Sequence, residues 1–193
     1  MGVLLPEQKR KVRKPLLWIG IASIVMTFAG LTSGYVVSRS ALMAENRWLQ
    51  FELPIQFYYA TAAIVLSSVT MIIAHRAAKK GNAQLVKIGV LLTLVLGVTF
   101  AILQYYGAGD LIDRGLYLTG PGSNNATSWV YVIAGLHWFH VLSGIIVLLV
   151  TLFQANKNAY TIEDHQGLDM SAIYWHFLDA LWIYLFCFLV FIR

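Results

Sequence analysis

The sequence predicts an all-α membrane protein: a bundle of five transmembrane helices, amino terminus cytoplasmic and carboxy terminus outside. Three observations carry this. The 193 residues are 59% hydrophobic and only 12% charged, with a mean hydropathy of +0.68, whereas soluble domains are ~45–50% apolar and about a quarter charged. Five continuous apolar runs are each long enough to cross a ~30 Å hydrocarbon core at ~1.5 Å per residue. Their continuity argues for helices, because barrel strands alternate. The third observation is a lopsided distribution of basic residues.

Residues 1–14 form a basic arm, and 15–193 a single transmembrane domain. The first span covers about 15–37, with Pro15 suited to a first helical turn. The others cover about 54–75, 85–106, 128–153 and 171–192. The apolar run after Lys14 is a full span with no small-residue cleavage site, so it does not read as a signal peptide. Lys9, Arg10, Lys11, Arg13 and Lys14 share one side with Arg76, Lys79, Lys80, Lys87 and Lys157, while Arg39, Arg47, Arg114 and Arg193 lie opposite. The positive-inside rule puts the richer set in the cytoplasm.

The net charge of +5 sits at helix ends and in short loops, where lipid headgroups and topology explain it; no nucleic-acid partner is implied. Cys187, the lone cysteine, cannot form a disulfide within the chain. Residues 107–127, including Thr119-Gly120-Pro121-Gly122, read as an irregular loop. Asn125-Ala126-Thr127 fits a glycosylation sequon, a pattern too short to carry weight. Trp18, Trp48, Tyr105, Tyr106 and Trp129 near span ends fit an interfacial aromatic belt.

Ionisable residues inside a span are costly and mark functional candidates. The fourth span carries His137 and His140, and the fifth His176 and Asp179, each pair on one helix face at i, i+3. By depth along the helices, Asp179 is expected to join His140 in a buried hydrogen-bonded cluster, with His176 as a local competitor. That cluster is structural or proton-related. Metal or haem ligation is the alternative use of a His-x-x-His pair, although the depths of His137 and His176 do not match. His75 falls at the cytoplasmic interface. On the first span Ser23, Thr27, Gly30 and Gly34 make a packing face, internal or toward a partner, and Gly30 and Gly34 form Gly-x-x-x-Gly. Ser67, Ser68 and Thr70 on the second span read likewise. No nucleotide loop or nucleophile arrangement is present, so no catalytic residue is assigned.

Gly135-Leu136-His137-Trp138-Phe139-His140-Val141-Leu142-Ser143-Gly144, followed by Tyr174-Trp175-His176-Phe177-Leu178-Asp179 and Trp182, resembles subunit III of haem–copper terminal oxidases. Leu66-Ser67-Ser68, Ala74-His75 and Leu103-Gln104 add to the resemblance, which covers the chain from the first span onward. It implies the short five-helix form of a family whose full-length members have seven helices. It further implies a non-catalytic subunit that binds no haem or copper and packs beside catalytic subunit I, where those cofactors reside. Such a subunit holds phospholipid and supports stable turnover and proton uptake while the complex reduces dioxygen to water and pumps protons. The other oxidase subunits, a respiratory supercomplex and a bacterial cytoplasmic membrane complete the implied setting. One departure stands out: Ile24 occupies the place of a buried glutamate common in the family. Three other readings remain open: an accessory protein of nitric oxide reductase, a small proton-coupled transporter, and a haem-binding electron carrier. The transporter reading lacks an inverted repeat or a broken helix pair.

Overall fold

A computed structural model describes residues 6–120 and 123–192, with side chains from residue 12 onward. The side chains of Lys9, Arg10 and Lys11, together with Pro121, Gly122 and Arg193, lie outside the described residues. The chain is an integral membrane protein, and its described residues form five helices, each long and apolar enough to cross a bilayer: α1 Pro6–Ala44, α2 Ile55–Lys79, α3 Ala83–Asp113, α4 Asn125–Asn156 and α5 Gln166–Phe191. No strand occurs among the described residues.

The helices outrun the apolar segments. α1 starts nine residues before Pro15, which therefore lies inside the helix and not in its first turn. Its missing N–H removes one backbone bond, a loss a long helix tolerates. Hydropathy marks where the membrane ends; backbone breakers mark where helices end. α1 stops at Asn46 (φ 54°), and α3 stops at Gly115 (φ 75°). Between α2 and α3, Gly81 adopts φ 72° and the Asn82 side chain accepts the Leu85 N–H, which makes a tight turn. Asn124 caps α4 in the same way, accepting the Ala126 N–H at 2.8 Å. The sequon thus opens a helix, and its Thr127 is buried.

Among the described residues, helices α2, α3, α4 and α5 close a four-membered ring in which each packs on its two ring neighbours, and α1 leans on α4 and α5. The ring turns on Trp175 of α5. Its indole N–H donates to Ser67 Oγ of α2 at 2.9 Å. The ring edge presses on Gly97 of α3 and Gly144 of α4, where an added Cβ would lie 2.5 and 3.1 Å from it. Small residues at such points let helix backbones approach closely. The end carrying Arg13, Lys79, Lys87 and Lys157 is the basic end, and the end carrying residues 114–120 and 123–124 is the loop end.

Candidate functional site

Polar side chains tie the helices together along their length. Between α2 and α5, Thr61 accepts the Trp182 N–H at 2.9 Å, Ser67 accepts Trp175, and Ser68 Oγ shares a 2.7 Å hydrogen bond with His176 Nδ1. Thr70 and Thr93 join α2 to α3 at 2.7 Å. The Trp138 indole donates to Ala101 O of α3 at 3.1 Å, while Thr151–Ser171 and Ser143–Tyr174, both 2.6 Å, join α4 to α5. Tyr184 donates to Thr32 of α1 at 3.2 Å. Such contacts average ~0.6 kcal/mol each in membranes. Their number makes them the bundle's adhesive, and Ser67, Ser68 and Thr70 do form a packing face.

Asp179 is 3% exposed, at the α2–α5 seam. Its closest histidine is His176, with Nδ1 3.9 Å from Oδ2, beyond hydrogen-bond reach. Neither carboxyl oxygen has a hydrogen-bond partner among the described residues. The expected Asp179–His140 bond does not form. Depth along the helices brought the two together on paper, but their azimuths differ: His140 Nδ1 donates back to Leu136 O at 2.8 Å, and its ring packs edge-on against Phe28 of α1.

His137 is the buried member of its pair, fully enclosed. Its ring stacks on Trp182 at 5.2 Å between centroids and meets the edges of Phe28 and Phe100 at 6.3 and 6.0 Å. Both ring nitrogens lack partners among the described residues. Among those residues, no group of three His, Cys, Asp or Glu side chains could hold one metal ion.

The α1 face divides. Ser23, Thr27 and Gly30 are exposed, and a Cβ at Gly30 would meet nothing within 4 Å. Only Gly34 packs within the chain: a Cβ there would come 2.8 Å from the Trp129 ring. The inward stripe is instead Ile21, Phe28, Thr32 and Tyr35, with Ile24 packed beside it. The position where the resemblance calls for a buried glutamate is thus filled by an aliphatic contact. Of the aromatic belt, Trp18, Tyr105 and Tyr106 are exposed, but Trp48 packs edge-on against Tyr35 at 5.2 Å and Trp129 covers Gly34.

Sequence reasoning gave no role to the cluster at the basic end. His75 of α2 donates through Nε2 to Asp169 Oδ1 at 2.8 Å, and His165 Nε2 lies 3.8 Å from the same oxygen. The signal was present, since His75 ends one predicted span and His165 and Asp169 lie just before another. The 157–165 connection folds back here, where the Tyr160 hydroxyl donates to Gln154 Oε1 at 3.2 Å. Burial holds the Tyr160 phenol above its ordinary pKa, against a smaller opposing contribution from Thr151.

The family model described as cytochrome c oxidase subunit III matches residues 21–192. The chain is 28% identical to cytochrome c oxidase subunit 3 of Corynebacterium diphtheriae over 197 aligned positions, covering 97% of this chain and 94% of the relative. It is 33% identical over 129 positions to the Loxodonta africana protein of that name, covering 65% of this chain and 46% of the relative. A probable cytochrome c oxidase subunit 3 of Rickettsia felis is 32% identical over 143 positions, 72% of this chain and 47% of the relative. The chain therefore spans about half the length of the last two relatives and nearly all of the first.

Proposed function

The chain belongs to the cytochrome c oxidase subunit III family, the accessory subunit of a haem–copper oxidase, and from that premise we propose that it packs beside a catalytic subunit I that holds the haem and copper. It binds none of those centres itself. The assembled complex reduces dioxygen to water and pumps protons, and this subunit keeps it turning over stably with a steady proton supply. The observation that carries this reading is the family match across 21–192. The use of the chain's own polar groups supports it, because most of them tie one helix to another.

Helix α1 is the face we assign to the partner. Among the described residues the helices it packs on are α4 and α5, and its Ser23, Thr27 and Gly30 stripe is exposed. Phospholipid fills the remaining apolar surface. The setting is a bacterial cytoplasmic membrane, with the basic end in the cytoplasm under the positive-inside rule, and a respiratory supercomplex is the larger assembly. Affinity purification of the full chain from native membrane tests the reading. A haem–copper catalytic subunit should accompany it; recovery of the chain without one rejects the proposal.

A further inference from the structure

A cavity of about 250 Å³ opens between α2, α3 and α4, in the half of the bundle nearest the loop end. Three features make it more than a surface irregularity. Its walls are aromatic, with Phe57 from α2 and Tyr131, Trp138 and Phe139 from α4. Two of those rings are pinned: the Trp138 N–H donates to Ala101 O at 3.1 Å, and the Tyr131 hydroxyl donates to Leu116 O at 3.0 Å. The walls therefore stand in place before anything binds, which lowers the cost of binding.

The second feature is Gln104 of α3, which lines the cavity at 5% exposure. Its amide nitrogen has no hydrogen-bond partner among the described residues. A buried donor left unmade costs ~1–3 kcal/mol; the nitrogen has almost no accessible surface, so a turn of the terminal amide toward the cavity brings it to a ligand's acceptor and relieves that cost. The third feature is what is missing from the lining: no lining residue is charged. Nothing there would hold a phosphate.

We propose that this cavity binds a neutral, flat, membrane-borne ring carrying one hydrogen-bond-accepting carbonyl, the chemistry of a quinone head group, stacked on the aromatic wall with its carbonyl on Gln104. Size agrees. An apolar cavity of ~150 Å³ takes a benzene ring, so this one has room for a substituted ring. Aromatic faces favour offset or edge-on packing of another π-system. The proposal concerns binding by this chain alone and does not rest on which oxidase the chain serves.

Gly135 provides the means of testing it. It lines the cavity, and a Cβ there would meet nothing within 4 Å, so a larger side chain can start into the cavity without a backbone clash. The full chain, purified from native membrane with the partners it retains, is irradiated with a decyl-tailed azidobenzoquinone. A parallel sample receives phosphatidylglycerol with a photoreactive acyl chain. Labelled residues are located by mass spectrometry. The expected result is quinone label within 104–111 or 130–139, abolished by Gly135→Leu. Gln104→Leu should weaken it about tenfold, the fold-change that one ~1.4 kcal/mol hydrogen bond represents. Since Gln104→Leu leaves Gly135 untouched, it keeps the test decisive should the filled variant fail to accumulate. Quinone labelling unchanged by either variant overturns the proposal. So does a lipid probe that labels the same residues and displaces the quinone, which would identify the cavity as an acyl-chain groove.

Discussion

Trp175 and Gly97 meet so closely that a Cβ on Gly97 would lie 2.5 Å from the indole ring. The ring cannot retreat, because its N–H is held by Ser67 and its other edge is against Gly144. Gly97→Ala should therefore force α3 outward and destabilise the bundle by about 1–3 kcal/mol, the usual cost of overpacking. A lowered thermal midpoint of the detergent-solubilised protein is the expected reading; an unchanged midpoint would mean that the contact is loose.

Alkaline pH should loosen the connection between α4 and α5. Burial holds the Tyr160 phenol above its ordinary value of 10.0, so above about pH 10 the unfolded chain releases that proton while the folded chain retains it. Folding stability is unaffected below that pH and falls as pH rises through the window up to the folded-state value. Hydrogen exchange of 157–165 against pH would measure this, and Tyr160→Phe should remove the alkaline phase.

The five helices were legible because apolar runs of span length have no other stable solution, and the Ser67, Ser68 and Thr70 packing face was legible because hydroxyls in a span need partners. The start of α1 was not. Hydropathy located the bilayer edge at Pro15, while the helix runs back to Pro6 through charged residues that carry no breaking signal. The Asp179 neighbourhood was half legible. Rise per residue gave depth, but azimuth depends on how α4 rotates against α1 and α5, and that is set by rings such as Phe28 and Trp182 far from it in sequence. Trp175 and Trp182 in the core, and the cavity beside Gln104, arise from contacts among three or four helices. No single helix pattern encodes them.

His137 should tolerate conversion to phenylalanine. Its ring is held by stacking on Trp182 and by the edges of Phe28 and Phe100, and neither nitrogen has a partner among the described residues. Removing two buried polar atoms that lack partners relieves a desolvation cost of ~1–3 kcal/mol each at most. His137→Phe is thus expected to leave the thermal midpoint unchanged or to raise it. A fall of several degrees would reveal a bonded water or a neighbouring chain at the ring.

Gly30 separates contacts within the chain from contacts with a partner. A Cβ there meets nothing within 4 Å, so Gly30→Leu should not weaken this chain's own folding, since leucine also favours the helix over glycine. If α1 carries the partner subunit, the same change prevents close approach of the two helices. Co-purification of the catalytic subunit should fall while the level of this chain in the membrane stays constant. Undiminished co-purification would move the interface to another face.

Asp179 is the most exacting test of an accessory role. A carboxyl buried at the α2–α5 seam, with no basic side chain in hydrogen-bond contact among the described residues, contributes through its place in the seam or through proton handling. The two differ in time course. Asp179→Leu replaces the acid with an apolar side chain of similar bulk, so the seam beside Ser68 and His176 is altered only locally. On the accessory reading, the assembled complex should begin turnover near the normal rate and then inactivate sooner, or assemble in lower yield. Oxygen consumption followed from the first turnovers to exhaustion distinguishes these. An immediate loss of rate in a fully assembled complex would instead make Asp179 part of the proton path itself, and His176→Phe, which removes its nearest imidazole at 3.9 Å, should then reproduce that loss.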